Sequence, residues 1–172
     1  TIINTHELNL HLNDANWRII DCHSDLNDTD LGRKLYSLEH IPGAIYAHLD
    51  NDLSGYVVPG ETGRHPLPTI AGIAALLGRW GIDNDTQVVV YDDKKGAIAA
   101  RVWWMLRYLG HEKVAVLDGG FTQWKKAGLK TSKDIPTYDR KTFTTHVQNE
   151  WVKDADTVAE WSHNATFKVV DS

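Results

Sequence analysis

The segment formed by residues 88–128 constrains the fold of this chain more than any other part of its sequence. It opens with four residues typical of a buried strand, VVVY at 88–91, and a short loop and a helix follow. A second apolar strand, VAVL at 114–117, then leads into two glycines and a short helix that contains Trp124. Two buried strands separated by a helix predict a parallel α/β unit. In such a unit, the loop after the carboxyl end of a strand is where binding and catalysis usually take place.

The loop after the first of these strands begins with two aspartates, Asp92 and Asp93. Residues 92–100 contain no cysteine, serine or histidine. Those three side chains are common nucleophiles and bases at active sites. The sequence therefore predicts the framework of an active site that lacks a nucleophile of its own.

This arrangement resembles the rhodanese family of sulfurtransferases, in which a nucleophilic cysteine leads a six-residue loop between a strand and a helix. Three motifs carry the resemblance over residues 5–128 and follow the family's order: IID at 19–21, HIPGA at 40–44, and LDGGFTQW at 117–124. The resemblance implies a rhodanese-like α/β domain with a parallel central sheet and helices on both faces. Asp92 stands where the family has its cysteine, so we expect no catalytic residue in this domain.

A closer resemblance is to the N-terminal, non-catalytic domain of two-domain thiosulfate and 3-mercaptopyruvate sulfurtransferases. There, too, an aspartate replaces the cysteine, and the next helix follows the pattern A-x-R-V-W-W-M, which residues 99–105 match. The resemblance implies that the catalytic cysteine and the donor-binding arginines belong to a second rhodanese domain in cis. It implies a cysteine persulfide that carries sulfur from a small anionic donor to a thiol or to cyanide, with no cofactor.

An internal similarity at an offset of 150 residues indicates the opening of a second copy of the domain. Residues 13–22 (NDANWRIIDC) align with residues 163–172 (HNATFKVVDS). Both contain a polar turn, an aromatic residue, a basic residue, two β-branched residues, an aspartate and a small residue. We expect residues 156–163 to form a helix and residues 167–171 to form a core strand of that copy.

The predicted organisation has three parts. They are a rhodanese-like domain at residues 1–128, a polar linker at 129–152, and the start of a truncated second domain at 153–172. Two functions follow from it: a non-catalytic domain of a tandem-domain sulfurtransferase, or a stand-alone module that binds a partner protein and does no chemistry. The opening of a second copy favours the first, because a stand-alone module has no use for it.

Several side chains are expected to face a pocket or a neighbouring domain. Asp92 is expected to accept the backbone N–H groups of its loop in place of a thiolate and to cap the following helix. The two lysines that follow are expected to attract an anionic donor or to pair with the aspartates. The candidate residues are Asp92, Asp93, Lys94, Lys95, Ile98 and His23.

Cys22 is the one cysteine of the chain and therefore the alternative nucleophile. It follows a predicted core strand, and His23 beside it points to the opposite face, so we expect a small buried residue with no base. The nine histidines raise the question of a metal site. The sequence has no H-E-x-x-H or C-x-x-C motif, so no metal site is predicted.

The charge and hydropathy patterns narrow the range of partners and compartments. A formal net charge of −5 argues against nucleic acids and anionic membrane surfaces as partners. No stretch of the sequence approaches the length of a membrane span. A single cysteine forms no internal disulfide, so a reducing, cytoplasmic location is expected.

Overall fold

The structure, a computed structural model, describes residues 1–163 and 166–170. The strands are β1 (Ile2–Ile3), β2 (Trp17–Asp21), β3 (Ala44–Tyr46), β4 (Gln87–Tyr91) and β5 (Val114–Leu117). They form one sheet in the order β1-β5-β4-β2-β3, and every pairing is parallel. This confirms the predicted parallel α/β sheet. The sequence pattern did not predict β1, because two residues are too few to show a period.

Helices lie between the strands in the sequence, and further helices follow the last strand. They are α1 (Thr5–Leu10), α2 (Leu31–Leu38), α3 (Ile70–Arg79), α4 (Ala99–Tyr108), α5 (Gly120–Lys126) and α6 (Ala155–Ser162), with a short 3-10 helix at Asn149–Trp151. The Thr69 hydroxyl caps α3 by accepting the N–H of Gly72 at 3.1 Å. In the part of the chain that the structure describes, no helix has the length and apolar character needed to cross a membrane.

The core consists of two layers, one on each face of the sheet. Alternate residues of β4 point to opposite sides: Val88 and Val90 pack under α3 and α4, whereas Val89 and Tyr91 pack under α1, α2 and α5. Both faces of β4 are therefore buried, as its continuous apolar sequence predicted. The expected helices on both faces of the sheet are confirmed.

Residues 129–148, which we call the strap, run along the surface of this domain. They contain neither a helix nor a sheet strand, but they are fastened to the domain by individual contacts. Phe143 is buried in the core layer of α3 and α4, and the hydroxyl of Tyr138 donates to the carbonyl of Gly43 at 2.8 Å. Backbone N–H groups of the strap, such as those of Ser132 and Lys141, also donate to carbonyls of the domain, so this polar segment is fastened without secondary structure of its own.

The tail after the strap contains α6, which agrees within one residue at each end with the expected helix at 156–163. Residues 167–170 belong to no strand, and the Phe167 ring stacks on Trp161 at 4.6 Å. The expected strand at 167–171 and the repeat at 163–172 also include residues outside the described part of the chain, namely Asn164, Ala165, Asp171 and Ser172.

Candidate functional site

The carboxylate of Asp92 is held by four backbone N–H groups at the carboxyl end of β4. Lys94 and Gly96 each donate to Oδ1 at 2.8 Å, and Ile98 and Ala99 each donate to Oδ2 at 2.9 Å. The Asp92 residue is 1% exposed. Asp92 therefore accepts the N–H groups of its loop, as expected. We call these four donors the cradle.

The cradle depends on unusual backbone conformations in the loop and on close packing beneath it. Lys95 (φ +61°) and Gly96 (φ +88°) lie in the left-handed region, and the loop that they bend directs the N–H groups of residues 94, 96, 98 and 99 toward one carboxylate. Below the loop, the carbonyl of Asp92 accepts the N–H of Phe121 at 3.0 Å. A Cβ on Gly120 would lie 2.1 Å from that carbonyl oxygen, so this position has no room for a side chain. The loop is thus a preformed anion site that the protein's own carboxylate occupies.

A buried polar cluster joins the ends of β2 and β4 next to the cradle. The Asp21 carboxylate accepts the backbone N–H of His23 at 2.9 Å and lies 2.7 Å from its Nδ1, while the Tyr91 hydroxyl donates to it at 2.5 Å. Nε2 of His23 lies 4.0 Å from a carboxylate oxygen of Asp93. Burial lowers the pKa of His23, but its hydrogen bond to Asp21 and the nearby carboxylates outweigh burial and leave that pKa raised.

Lys94 has an ion-pair partner that the sequence pattern did not predict. Nζ of Lys94 lies 3.0 Å from the Asp25 carboxylate, which follows β2, and it pairs with neither aspartate of its own loop. The expected pairing of Lys94 with Asp92 is wrong because backbone N–H groups already occupy both oxygens of Asp92. Asp25 has a pKa lowered to about 2, because it accepts backbone N–H bonds and the Lys94 ammonium.

Lys95 and Asp93 line a cleft of about 470 Å³ at the same end of the sheet. Its other walls include Val116 and Leu117 from β5. Two of the six candidate residues thus share one cleft, and His23, a member of the buried cluster, lines a smaller cleft together with Asp93.

Arg101 has hydrogen-bond partners that the sequence pattern did not predict. Its guanidinium donates to the backbone carbonyls of Leu53, His65 and Pro66 at 2.9 to 3.1 Å. It therefore anchors the long loop after β3 beside the cradle. A charged residue at the first turn of α4 was the available signal, but its partners are carbonyl groups and carry no sequence signature.

Three loops at the carboxyl end of the sheet make one surface, which we call the carboxyl-edge face. They follow β2, β3 and β4, at residues 22–30, 47–68 and 92–98. The pair between Lys94 and Asp25 joins the third loop to the first. The face carries exposed apolar side chains: Leu26, Tyr56, Val57 and Leu67, of which Tyr56 is 87% exposed. Ile98, at the start of α4, is half-buried and packs against the core layer of α3 and α4.

Cys22 is fully buried in the core layer of α3 and α4. Burial raises the pKa of its thiol well above the ordinary value, and the negative charges of Asp21 and Asp92 act in the same direction. The thiolate form is the reactive one. The expected role of Cys22 as a small core residue is confirmed, and its environment is the opposite of a nucleophile's.

Among residues 1–163 and 166–170, no group of three or more His, Cys, Asp or Glu side chains is arranged to hold a metal ion. The site therefore consists of a filled anion cradle, a cleft beside it, and a partly apolar face around both.

Comparison with known proteins places these features in a family. The model of the family described as "Rhodanese-like domain" matches residues 4–127. A probable 3-mercaptopyruvate sulfurtransferase of Pseudomonas aeruginosa is 46% identical over 129 residues, which are 74% of this chain and 45% of that protein. The thiosulfate sulfurtransferase of Bos taurus is 36% identical over 157 residues, which are 90% of this chain and 52% of that protein.

The fold is similar to that of solved sulfurtransferases. The crystal structure of SseA from Escherichia coli, described as a 3-mercaptopyruvate sulfotransferase, matches with a TM-score of 0.84 and 28% identity. The match covers 96% of this chain and 62% of that one. The chain thus spans about half the length of the two curated relatives and less than two thirds of the solved protein.

Proposed function

Because the chain belongs to the rhodanese-like domain family, we propose that it is the non-catalytic, N-terminal domain of a tandem-domain sulfurtransferase. The cradle around Asp92 carries this proposal. Four N–H groups and the start of α4 would favour a thiolate at this position. A carboxylate fills the position instead, and it cannot accept and pass on sulfur as a thiolate does. The lengths and names of the relatives support the proposal.

The whole protein would transfer sulfane sulfur through a cysteine of the second domain. The cysteine thiolate attacks the outer sulfur of thiosulfate, a new S–S bond forms, and sulfite leaves with the electron pair of the broken bond. Cyanide or a thiolate acceptor then takes the outer sulfur and regenerates the cysteine thiolate. With 3-mercaptopyruvate as donor, the thiolate attacks its sulfur, the C–S bond breaks, and the carbon fragment leaves with the electron pair as the enolate of pyruvate, which then takes up a proton. The reaction needs no cofactor, and a reducing compartment such as the cytosol suits it.

We assign the carboxyl-edge face to contact with that second domain. The exposed apolar side chains of Leu26, Tyr56 and Val57 support this, since contiguous exposed apolar groups mark interaction sites. Tyr56 and Val57 belong to the loop after β3, which Arg101 fixes in position. In this arrangement the face contributes one wall of the donor pocket, while the second domain supplies the nucleophile and the cationic groups.

The 172-residue polypeptide is expected to show no sulfur transfer from thiosulfate or 3-mercaptopyruvate to cyanide above background. The reason is that Asp92 fills the nucleophile's position and Cys22 is buried as a thiol. A colorimetric thiocyanate assay measures this, with the full-length protein as the positive control. The matched variant Cys22→Ser should behave like the parent in both proteins. Turnover that disappears in Cys22→Ser would contradict both residue assignments.

The alternative is a stand-alone rhodanese-like module that binds a partner and does no chemistry. The continuation of the coding sequence distinguishes the two. The proposal requires a cysteine-led loop about 70 residues beyond Asp171, by the spacing between Asp21 and Asp92 in the first copy. A full-length protein without such a loop would favour the binding module.

A further inference from the structure

His111 is a buried histidine outside the proposed site, between the end of α4 and β5. It is 2% exposed, and its Nε2 is buried without a hydrogen-bond partner among the described residues. The ring of Phe143, from the strap, lies 5.6 Å from the His111 ring. A neutral imidazole tolerates such a site at a modest cost, whereas a buried charge without a partner is strongly unfavourable.

The part of the strap that covers His111 is attached at a few points. Phe143 is its buried apolar anchor. The N–H groups of His146 and Gln148 donate to carbonyls at the end of α4, each at 2.8 Å. A Cβ on Gly110 would lie 2.5 Å from the carbonyl oxygen of His146, so strap and helix end are in close contact. Movement of the His111 ring would therefore act on the strap through Phe143, the strap side chain that lies against that ring.

The charges around His111 do not compensate a proton on it. The charged and titratable groups on the elements packed against it are Asp83, Asp85, Arg107, Glu112, Lys113, Lys141 and His146. Asp83 already pairs with Lys141 of the strap at 2.9 Å. Burial has the largest effect on the pKa of His111 and lowers it, and the Lys113 charge acts in the same direction. Together they outweigh the hydrogen bonds to the backbone of Thr86 and Lys113 and the charge of Asp83, which raise that pKa.

We propose that residues 143–148 form a proton-sensitive latch, which opens when His111 takes up a proton and detaches this part of the strap from the end of α4. The strap leads to the segment that we assign to a second domain, so the latch would control how firmly the two are joined. The latch itself is a property of this chain and does not depend on the proposed sulfur transfer.

The direction of the pH effect follows from the linkage of protonation and folding. A histidine has an ordinary pKa of about 6.5 when exposed, as His111 becomes on opening. The latched state binds this proton less well, so the closed latch keeps its full stability above about pH 6.5. It loses stability as the pH falls toward the lower pKa of the latched state. One proton gives at most about a tenfold change per pH unit.

Amide hydrogen exchange followed by NMR between pH 7.5 and pH 5 tests the latch on the 172-residue chain. The amides of His146 and Gln148, corrected for intrinsic exchange, should open more often by up to about tenfold per pH unit below about pH 6.5. The amides of Val89 and Val90 in β4 report global unfolding, and at every pH they should exchange far more slowly than the two strap amides. The variant His111→Leu should remove the pH dependence, and His146→Gln should retain it.

Two results would overturn the latch. One is a constant corrected exchange at His146 and Gln148 across this pH range in the parent chain. The other is a His111 imidazole that titrates near pH 6.5 by NMR while both amides stay protected. The second measurement uses the unmodified chain and therefore does not depend on the folding of His111→Leu. Neither measurement involves sulfur transfer, so failure of the latch and failure of the proposed function are distinguishable.

Discussion

Replacing Asp92 with alanine is expected to lower the free energy of unfolding by about 3–5 kcal/mol. The carboxylate accepts four backbone N–H groups and is almost fully buried. Alanine would leave these donors without a partner, and the loop would have to rearrange to admit water. Urea denaturation followed by far-UV circular dichroism measures the change.

Asp93→Ala is the matched control for this prediction. Its side chain is 34% exposed and lies 4.0 Å from His23, so the expected change in the free energy of unfolding is below about 1 kcal/mol. Asp92→Asn should fall between Asp92→Ala and the parent, because its amide keeps one acceptor oxygen of the two. If Asp92→Ala were as stable as Asp93→Ala, the cradle would contribute nothing to the fold.

The main strands of the sheet could be predicted from the sequence, because buried strands consist of apolar residues in a recognisable pattern. Strand β4 is buried on both faces and reads as an unbroken apolar run, so its position and type followed directly. The strap left no such pattern. Its side chains are mostly polar, and its attachment at His146 and Gln148 uses backbone groups that every residue carries. The attachment of the strap can therefore be identified only from the structure, in which the strap lies against the end of α4.

In the candidate site, too, some features could be predicted from the sequence and others could not. The role of Asp92 was predictable, because a carboxylate at the carboxyl end of a strand and before a helix meets N–H groups that lie close in sequence. The pairing of Lys94 with Asp25 spans 69 residues, so nothing in the sequence near Lys94 identifies that aspartate as its partner. The carbonyl partners of Arg101 could not be predicted either, because they also lie far from it in the sequence.

Asp92→Cys, made in a Cys22→Ser background, is expected to give a thiol with a pKa well below the ordinary value of about 8.5. The cradle and the start of α4 would stabilise the thiolate as they now hold the carboxylate. The rate of alkylation by iodoacetamide against pH gives this pKa as its midpoint. Asp93→Cys in the same background is the control, since it samples the same loop without the cradle. Compared with Cys22 in the parent chain, the new thiol should react at least about 100-fold faster at neutral pH.

Sulfur transfer by Asp92→Cys should nevertheless stay weak, and this separates the cradle from the rest of the proposed site. A thiolate alone attacks a donor slowly unless cationic groups bind and orient the donor's anionic end. In the proposed function those groups belong to the second domain. If the alkylation rate of Asp92→Cys had a pH midpoint no lower than that of Asp93→Cys, the cradle would not stabilise an anion. A low midpoint together with efficient thiocyanate formation would mean that this domain already holds a complete donor site, and the chemistry would then belong to this half of the protein.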